Sequence, residues 1–213
     1  MTGLMTKKNK VELIETYLDE IFPNPVCELN YTKDYELLIA VMLSAQTTDK
    51  RVNMVTNILF NKYPSLELLK EADINDIIDI IRPIGTFNRK ANYLLEIANI
   101  LYNDYNGIVP NDRKILESMP GVGRKVANVI LSEWFKVPNI AVDTHVERVS
   151  KRLGLVKHNY NVLEVEKKLQ KTFIKENWSK RHLQLVLFGR YKCKSSRPLC
   201  GECKLKDICK KKD

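Results

Sequence analysis

The chain has 213 residues, enough for one large domain or two small ones, and 44% of them are hydrophobic, which can supply a buried core. It carries 35 lysines and arginines against 26 aspartates and glutamates, a formal net charge of +9. This charge favours an anionic partner such as nucleic acid, and an ordinary basic protein is an equal alternative. The basic start is not followed by an apolar segment, and no run approaches the ~20 apolar residues of a membrane span. We therefore expect an intracellular, cytoplasmic protein that does not bind membranes.

Apolar residues recur at intervals of three and four along most of the chain, which predicts an all-α protein. An amphipathic segment at 11–22 comes first. Further helices are predicted at 35–46, 48–63, 74–84, 88–105, 124–135, 161–174 and 181–191. Pro, Gly, Asn and Asp cluster at the breaks between them, and no strand-like alternation persists.

The predicted helices suggest two domains. Those between 35 and 135 form one bundle, and the C-terminal part must pack against something, for which the N-terminal helix is the obvious candidate. We therefore predict a six-helix domain at 27–137 and a discontinuous domain made of 1–26 and 138–213.

The segment MPGVGRKVANVI, residues 119–130, predicts a tight helix–hairpin–helix turn. Gly121 and Gly123 permit unusual backbone angles and close approach of a ligand. The turn ends at a helix N-terminus, where free N–H groups bind phosphate through the main chain without reading sequence. Val122 and Arg124 complete this candidate phosphate site. A plain turn between two helices is the alternative, because Gly-x-Gly alone is a weak signal.

Lys125 stands on the first turn of the helix that follows this hairpin. The helix dipole and burial both lower the pKa of a lysine at such a place, and a neutral amine is a nucleophile. The alternative is a lysine that reaches water or contacts phosphate.

Asp143 precedes a predicted helix in the segment AVDTHVERVSKRLG. Thr144 and Glu147 fit a capping box, so the helix is expected to start at Thr144 with Asp143 just outside it. An ionised carboxylate there suits stabilising a developing cation or receiving a proton, and an extra capping carboxylate is an equal alternative. His145 either contacts phosphate or packs in the helix.

Four cysteines lie close together near the C-terminus with the spacing C-x6-C-x2-C-x5-C: Cys193, Cys200, Cys203 and Cys209. Disulfides are improbable in an intracellular chain. Structural zinc and an iron–sulfur cluster remain nearly even alternatives on spacing alone. Cys27 stands apart and is expected to be a small buried hydrophobe.

Basic residues alternate with these cysteines. A metal centre would fix the loop between Cys193 and Cys200 and present Lys194 and Arg197 to an anion. A solvated basic terminus is the alternative.

Taken together, these segments resemble the endonuclease III family of DNA glycosylases over nearly the whole chain. The resemblance rests on LSAQTTD (43–49), PGVGRKVANV (120–129), AVDTH (141–145) and the four-cysteine tail, which occur in the family's order and at its intervals.

The resemblance implies a two-domain, all-α helix–hairpin–helix DNA glycosylase fold with a cleft and a C-terminal loop that holds a [4Fe–4S] cluster on the four cysteines. The chain would act, as a monomer, on double-stranded DNA with an oxidised pyrimidine, such as thymine glycol, or an abasic site, in the nucleoid. Lys125 matches the Schiff-base lysine and Asp143 the essential carboxylate. Gln46 matches the glutamine that fills the gap left by the extruded nucleotide.

One segment departs from the family's pattern. Where the family often has a leucine wedge, IGTFNRK has Thr86, which is a poor wedge, and Phe87 is the expected substitute.

The resemblance favours a bifunctional DNA glycosylase and AP lyase of base excision repair. The alternatives are a monofunctional mismatch glycosylase for thymine, uracil or adenine, and a non-catalytic, metal-stabilised DNA-binding module. Such glycosylases usually lack the lysine, and a binding module has no use for Lys125 together with Asp143.

Overall fold

The computed structural model describes residues 6–210, and all the regular structure within that range is helical. The α-helices are α1 (Lys7–Ile21), α2 (Asp34–Leu43), α3 (Asp49–Lys62), α4 (Leu66–Lys70), α5 (Ile74–Ile81), α6 (Phe87–Asp104), α7 (Arg113–Ser118), α8 (Arg124–Glu133), α9 (Thr144–Arg152), α10 (Val162–Gln170) and α11 (Trp178–Tyr191). Short 3-10 turns lie at Lys175–Asn177, Cys200–Glu202 and Lys206–Ile208. The predicted all-α class is confirmed. None of the helices in the described range is long and apolar enough to cross a membrane.

The chain divides into two compact units, Glu28–Phe135 and a discontinuous one formed by Met1–Cys27 with Lys136–Asp213. The first unit holds seven helices, α2 to α8, which is two more than the five helical segments predicted between 35 and 135. The extra elements are short, with five residues in α4 and six in α7. Periodicity over so few residues does not give a helix signal.

Helix α2 forms the centre of the Glu28–Phe135 unit. Every residue from Tyr35 to Leu43 is buried, so the helix is apolar on all faces and needs neighbours on all sides. Helices α3, α6 and α8 pack against it. The helix ends at Leu43, earlier than predicted, because the chain turns at Ser44 and reaches a left-handed backbone at Gln46 (φ 56°).

The discontinuous unit buries a second core between α1, α9, α10 and α11. Ile14 and Leu18 of α1 and Phe188 of α11 are among its largest fully buried side chains. Ile140, Ala141 and Val142, which lead into α9, are also buried. The chain therefore reaches Asp143 directly from a packed interior.

A polar network joins α1 to α11 beside that core. The buried Arg181 donates to the Glu15 carboxylate (2.9 Å) and to both carboxylate oxygens of Asp19 (2.7 and 3.0 Å). Gln184 donates to Asp19 Oδ1 and to the Phe22 carbonyl, both at 2.9 Å. Hydrogen bonds from the Arg181 guanidinium hold the pKa of the Asp19 carboxyl well below its usual range.

We expect Asp19→Asn to lower the urea midpoint at neutral pH and to matter less as the pH falls. The pKa of Asp19 is lower in the folded chain than in the unfolded chain. Its stabilisation is therefore fully present above about pH 4 and is lost as the pH falls toward the folded pKa. Urea titrations of the variant and the wild type from neutral to acidic pH measure the difference between their urea midpoints.

Glu20→Gln is the matched control, because Glu20 pairs with Lys204 on the surface, where both side chains are more than half exposed. Such a pair contributes about 0–1 kcal/mol. A difference between Asp19→Asn and wild type that stayed constant down to strongly acidic pH would contradict the prediction.

Candidate active site

The hairpin between α7 and α8 rests on the helices beneath it. Gly121 has a left-handed backbone (φ 73°), and a Cβ built there would lie 2.6 Å from Tyr93 Cδ2 on α6 and 3.1 Å from Met42 Cγ on α2. Val122 is buried beside it, and its N–H donates to the Met119 carbonyl (3.1 Å). Gly121 is therefore required by the fold itself, both for its backbone angle and for close packing.

Gly123 differs from Gly121 in both respects. It is the N-cap of α8 with an extended backbone (φ −92°) that any residue can adopt, and a Cβ built there would meet nothing within 4 Å. The fold does not need glycine at this position. The open space lies over the N-terminus of α8, where free N–H groups point outward and Arg124 is exposed.

Lys125 is the second residue of α8. The helix is buried from Val126 to Ser132, but Lys125 itself is only half-buried, so it is less enclosed than expected. Throughout residues 6–210, no hydrogen bond or ion pair engages its ammonium group. An amine held next to the hairpin without an acidic partner is placed to meet a ligand.

Asp143 caps α9, and the predicted capping box on Thr144 is wrong. Asp143 Oδ1 accepts from the backbone N–H groups of His145 (2.9 Å) and Val146 (2.8 Å). Glu147 pairs instead with Lys151 (2.6 Å). An aspartate is at least as good an N-cap as threonine, and from one residue earlier it accepts from His145 and Val146, whereas a box on Thr144 would have used the Glu147 N–H. The carboxylate is thus fixed through one oxygen, and neither bond uses Oδ2.

The two candidate duplex-opening elements are both strained turns of the Glu28–Phe135 unit. Gln46 and Thr86 are exposed and have left-handed backbones with φ of 56° and 55°. A residue with a Cβ adopts this conformation at a cost of about 1–2 kcal/mol. Phe87 is half-buried, and the Arg82 guanidinium lies 5.5 Å from its ring centre. Thr86, rather than Phe87, is the more exposed of this pair.

Two arginines of α9 hold the loop that starts at Cys193. Arg148 donates to the Gly189 carbonyl (2.7 Å) and the Cys193 carbonyl (3.1 Å). Arg152 donates to the carbonyls of Cys193 (3.3 Å), Lys194 (2.6 Å) and Ser195 (3.1 Å). These carbonyls are turned toward α9, while the side chains of Lys194 and Ser195 remain exposed.

The other basic residues of this region take different positions. Arg197 is exposed and has a left-handed backbone (φ 48°). His145 packs against Gly189 and lies with Nδ1 3.2 Å from Arg148 Nη2. The phosphate contact considered for His145 stays a prediction.

The four C-terminal cysteines line one cavity of about 130 Å³, together with apolar side chains such as Leu153 and Phe188. Burial raises the pKa of the Cys203 thiol, and the three neighbouring cysteines shift it in the same direction. Among residues 6–210, no three His, Cys, Asp or Glu side chains form a group that could hold a metal ion. Cys27 is half-buried and does not line this cavity, so the expectation of a fully buried residue is wrong.

Comparison with known proteins identifies the family. The profile of the HhH-GPD superfamily of base excision DNA repair proteins matches residues 39–175. The chain is 45% identical to Endonuclease III of Bacillus subtilis (strain 168) over 206 residues, which is 97% of this chain and 94% of that protein. This chain belongs to the endonuclease III family. The resemblance seen in the motifs is confirmed.

Further relatives agree with this assignment to the endonuclease III family. Endonuclease III of Escherichia coli (strain K12) is 42% identical over 209 residues, 98% of each chain. A solved structure of a trapped covalent Endonuclease III–DNA intermediate superposes with a TM-score of 0.92 at 46% identity, covering 97% of each chain.

Sequence reasoning missed three cations, each of which holds a loop of its own unit. Arg148 and Arg152 stand four residues apart on α9 and so share one face, which is a signal visible in the sequence. The third is Lys90 of α6, which is buried against the end of α2. Nothing local to Lys90 in the sequence indicates that position.

The contrast between the two hairpin glycines can be measured. We expect Gly121→Ala to lower the free energy of unfolding by more than about 1–2 kcal/mol, the cost of the left-handed backbone, because the new Cβ also meets the Tyr93 ring. Gly123→Ala should change it by less than about 1 kcal/mol, since reduced freedom of the unfolded chain offsets the poorer N-cap. Urea unfolding of both variants measures these changes. Equal losses of unfolding free energy would contradict the different requirements for glycine at positions 121 and 123.

Proposed function

We propose that Lys125 is the nucleophile and Asp143 the assisting carboxylate of this enzyme. The activity itself follows from the family: the chain is a DNA glycosylase and AP lyase of base excision repair, and its partner is double-stranded DNA with a damaged base. The residue roles are argued from their surroundings.

The position of Lys125 carries the proposal. Its amine stands one residue after the N-terminus of α8, next to the open space at Gly123, and no acid among the described residues neutralises it. Phosphate bound at this N-terminus would bring a nucleotide's sugar to the amine. A covalent DNA intermediate has been trapped for the related Endonuclease III, which supports a nucleophilic route.

In the proposed reaction Lys125 Nζ attacks C1′ of the damaged nucleotide. The C1′–N bond to lysine forms, and the bond from C1′ to the base breaks with its electron pair leaving on the base, which is then protonated. Loss of the amine proton and opening of the sugar ring give an imine. Removal of a proton from C2′ then expels the 3′ phosphate by β-elimination, which cuts the strand.

Asp143 would act on the positive charge and the protons of these steps. Two backbone N–H groups fix its carboxylate through Oδ1, so the carboxylate is oriented before substrate arrives. Such a group stabilises the cation that develops at C1′ and accepts a proton nearby.

The DNA contacts are assigned to exposed backbone N–H groups and exposed polar side chains. The first N–H groups of α8, with Gly123 and Arg124, would hold phosphate without reading sequence. Lys194 and Arg197, exposed on the cysteine loop, would hold phosphate as charges. Gln46 would fill the gap left by the extruded nucleotide. The substrate class that we propose, from the resemblance to the endonuclease III family, is an oxidised pyrimidine of the thymine glycol type. A damaged base costs less to extrude from the duplex.

We also infer that the four cysteines hold a [4Fe–4S] cluster. A zinc ion requires all four sulfurs at ~2.3 Å from one point, which would bring them within roughly 4 Å of each other. Thiols that together line one cavity of about 130 Å³ leave room for a group of several atoms. The cluster would tie the loop together and take no part in the glycosidic step. Residues 1–26 and 138–213 would then form the cluster domain, and 27–137 the hairpin domain.

Borohydride trapping tests the proposed roles. With a duplex that carries one thymine glycol, wild type should give a covalent protein–DNA adduct, and Lys125→Ala should give none while still binding abasic DNA. Asp143→Asn should slow the single-turnover rate by about 10²-fold or more, as expected when a positioned acid–base group is lost. An adduct with Lys125→Ala, or loss of its DNA binding together with its activity, would show that the nucleophile lies elsewhere or that Lys125 is structural.

The cluster assignment has its own test. The purified protein should be yellow-brown and contain about four iron atoms per chain. Cys203→Ser should lose iron and colour, while Cys27→Ser, outside the cavity, should keep both. A colourless wild-type protein that holds stoichiometric zinc would overturn the assignment.

A further inference from the structure

Lys90 is a buried lysine without an acidic partner among the described residues, and burial lowers the pKa of its amine. It stands in the first turns of α6 and is only 4% exposed. Its ammonium group donates to the carbonyls of Leu43 (2.8 Å) and Ala45 (2.7 Å) and lies 3.4 Å from the Thr47 hydroxyl. No carboxylate pairs with it within the part of the chain that the structure describes. Burial of an unpaired ammonium is unfavourable, so a fold that keeps one there gains something from it.

The three acceptors all belong to the segment that carries Gln46. Helix α2 ends at Leu43, where its last carbonyls have no partner within the helix, and a cation is favourable at this end. Ala45 and Thr47 flank Gln46, whose backbone is left-handed. Lys90 therefore holds the chain on both sides of the strained residue, which keeps Gln46 exposed in one conformation.

The same residue is also part of the turn at Thr86. The backbone N–H of Lys90 donates to the Thr86 carbonyl (3.1 Å), the first hydrogen bond of α6. Its backbone thus belongs to the turn of Thr86 and Phe87, and its side chain reaches the loop of Gln46. Lys90 therefore contacts both exposed, strained turns of this unit, the one at Gln46 and the one at Thr86.

We propose that Lys90 is a positioning residue for opening the duplex, which sets where Gln46 stands relative to the turn of Thr86 and Phe87. This inference rests on the proposed function, in which these side chains enter the DNA. An extruded nucleotide leaves a single gap, and both elements must reach the same base-pair step to hold it open. A displacement of about 1 Å in such an arrangement can lower a rate by about 10²-fold.

A double-mutant cycle tests whether Lys90 acts through Gln46. Lys90→Met removes the donors with little change in volume, and Gln46→Ala removes the side chain that is being positioned. Single-turnover rates are measured at saturating protein on a duplex with one thymine glycol. In parallel, the fluorescence of 2-aminopurine opposite the lesion reports unstacking. Each single variant should lower the rate by about 10-fold or more and reduce the fluorescence change, and the double variant should be within about threefold of the slower single variant.

Arg89→Met is the matched control, because it removes the same charge from the adjacent, exposed position. The fold-reduction in single-turnover rate caused by Arg89→Met should multiply with the fold-reduction caused by Gln46→Ala. Thermal melting establishes that each variant is folded at the assay temperature. If Lys90→Met does not fold, Lys90→Gln, which keeps an N–H donor in the cavity, takes its place in the same cycle.

The outcomes separate this inference from the proposed function. Multiplicative effects of Lys90→Met and Gln46→Ala, or an unchanged fluorescence response in Lys90→Met, would overturn the positioning role while wild-type activity stood. Gln46→Ala with wild-type rate and fluorescence would overturn it as well. Absence of glycosylase activity in the wild type would instead overturn the proposed function.

Discussion

The burial of α2 is the constraint on which the Glu28–Phe135 unit depends. Because every residue from Tyr35 to Leu43 is buried, α3, α6 and α8 must cover the helix on all sides. That packing places the hairpin on Met42, places α8 against α2, and leaves the carbonyls at the end of α2 to be satisfied by a side chain from α6. The hairpin, the Gln46 loop and the Thr86 turn are thus all built on the α2–α6 pair.

Helix α9 has the corresponding role in the discontinuous unit. Its N-terminus fixes Asp143, and its later turns hold the loop from Cys193 to Ser195 through Arg148 and Arg152. A carboxylate and a cysteine loop that are fifty residues apart in sequence are therefore attached to one rigid helix. The arginines orient the loop through its carbonyls, so its basic side chains stay exposed.

Gly121 and Gly123 belong to the same motif but have different structural requirements. Both were predicted to serve the backbone and the ligand together, but Gly121 is required by left-handed geometry and by the Tyr93 ring, while Gly123 meets nothing in the fold. Likewise, the start of α9 at Thr144 was predicted correctly, yet the capping box on Thr144 was wrong, because Asp143 caps the helix. The local sequence indicates that a turn or a helix cap is present, and the packing around it decides which residue has that role.

The sequence by itself determined the helical class, the hairpin and the cysteine spacing, because each is encoded within about 20 residues by periodicity, turn residues or ligand spacing. It also indicated the family, because four motifs spread along the chain resemble that family in order and interval. Only the tertiary structure decided that Lys125 is half-buried, that the cysteines surround a cavity, and that Lys90 holds the Gln46 loop. The partners of Lys90 lie more than forty residues away in the chain. A contact of that range depends on how helices pack, and no local pattern records it.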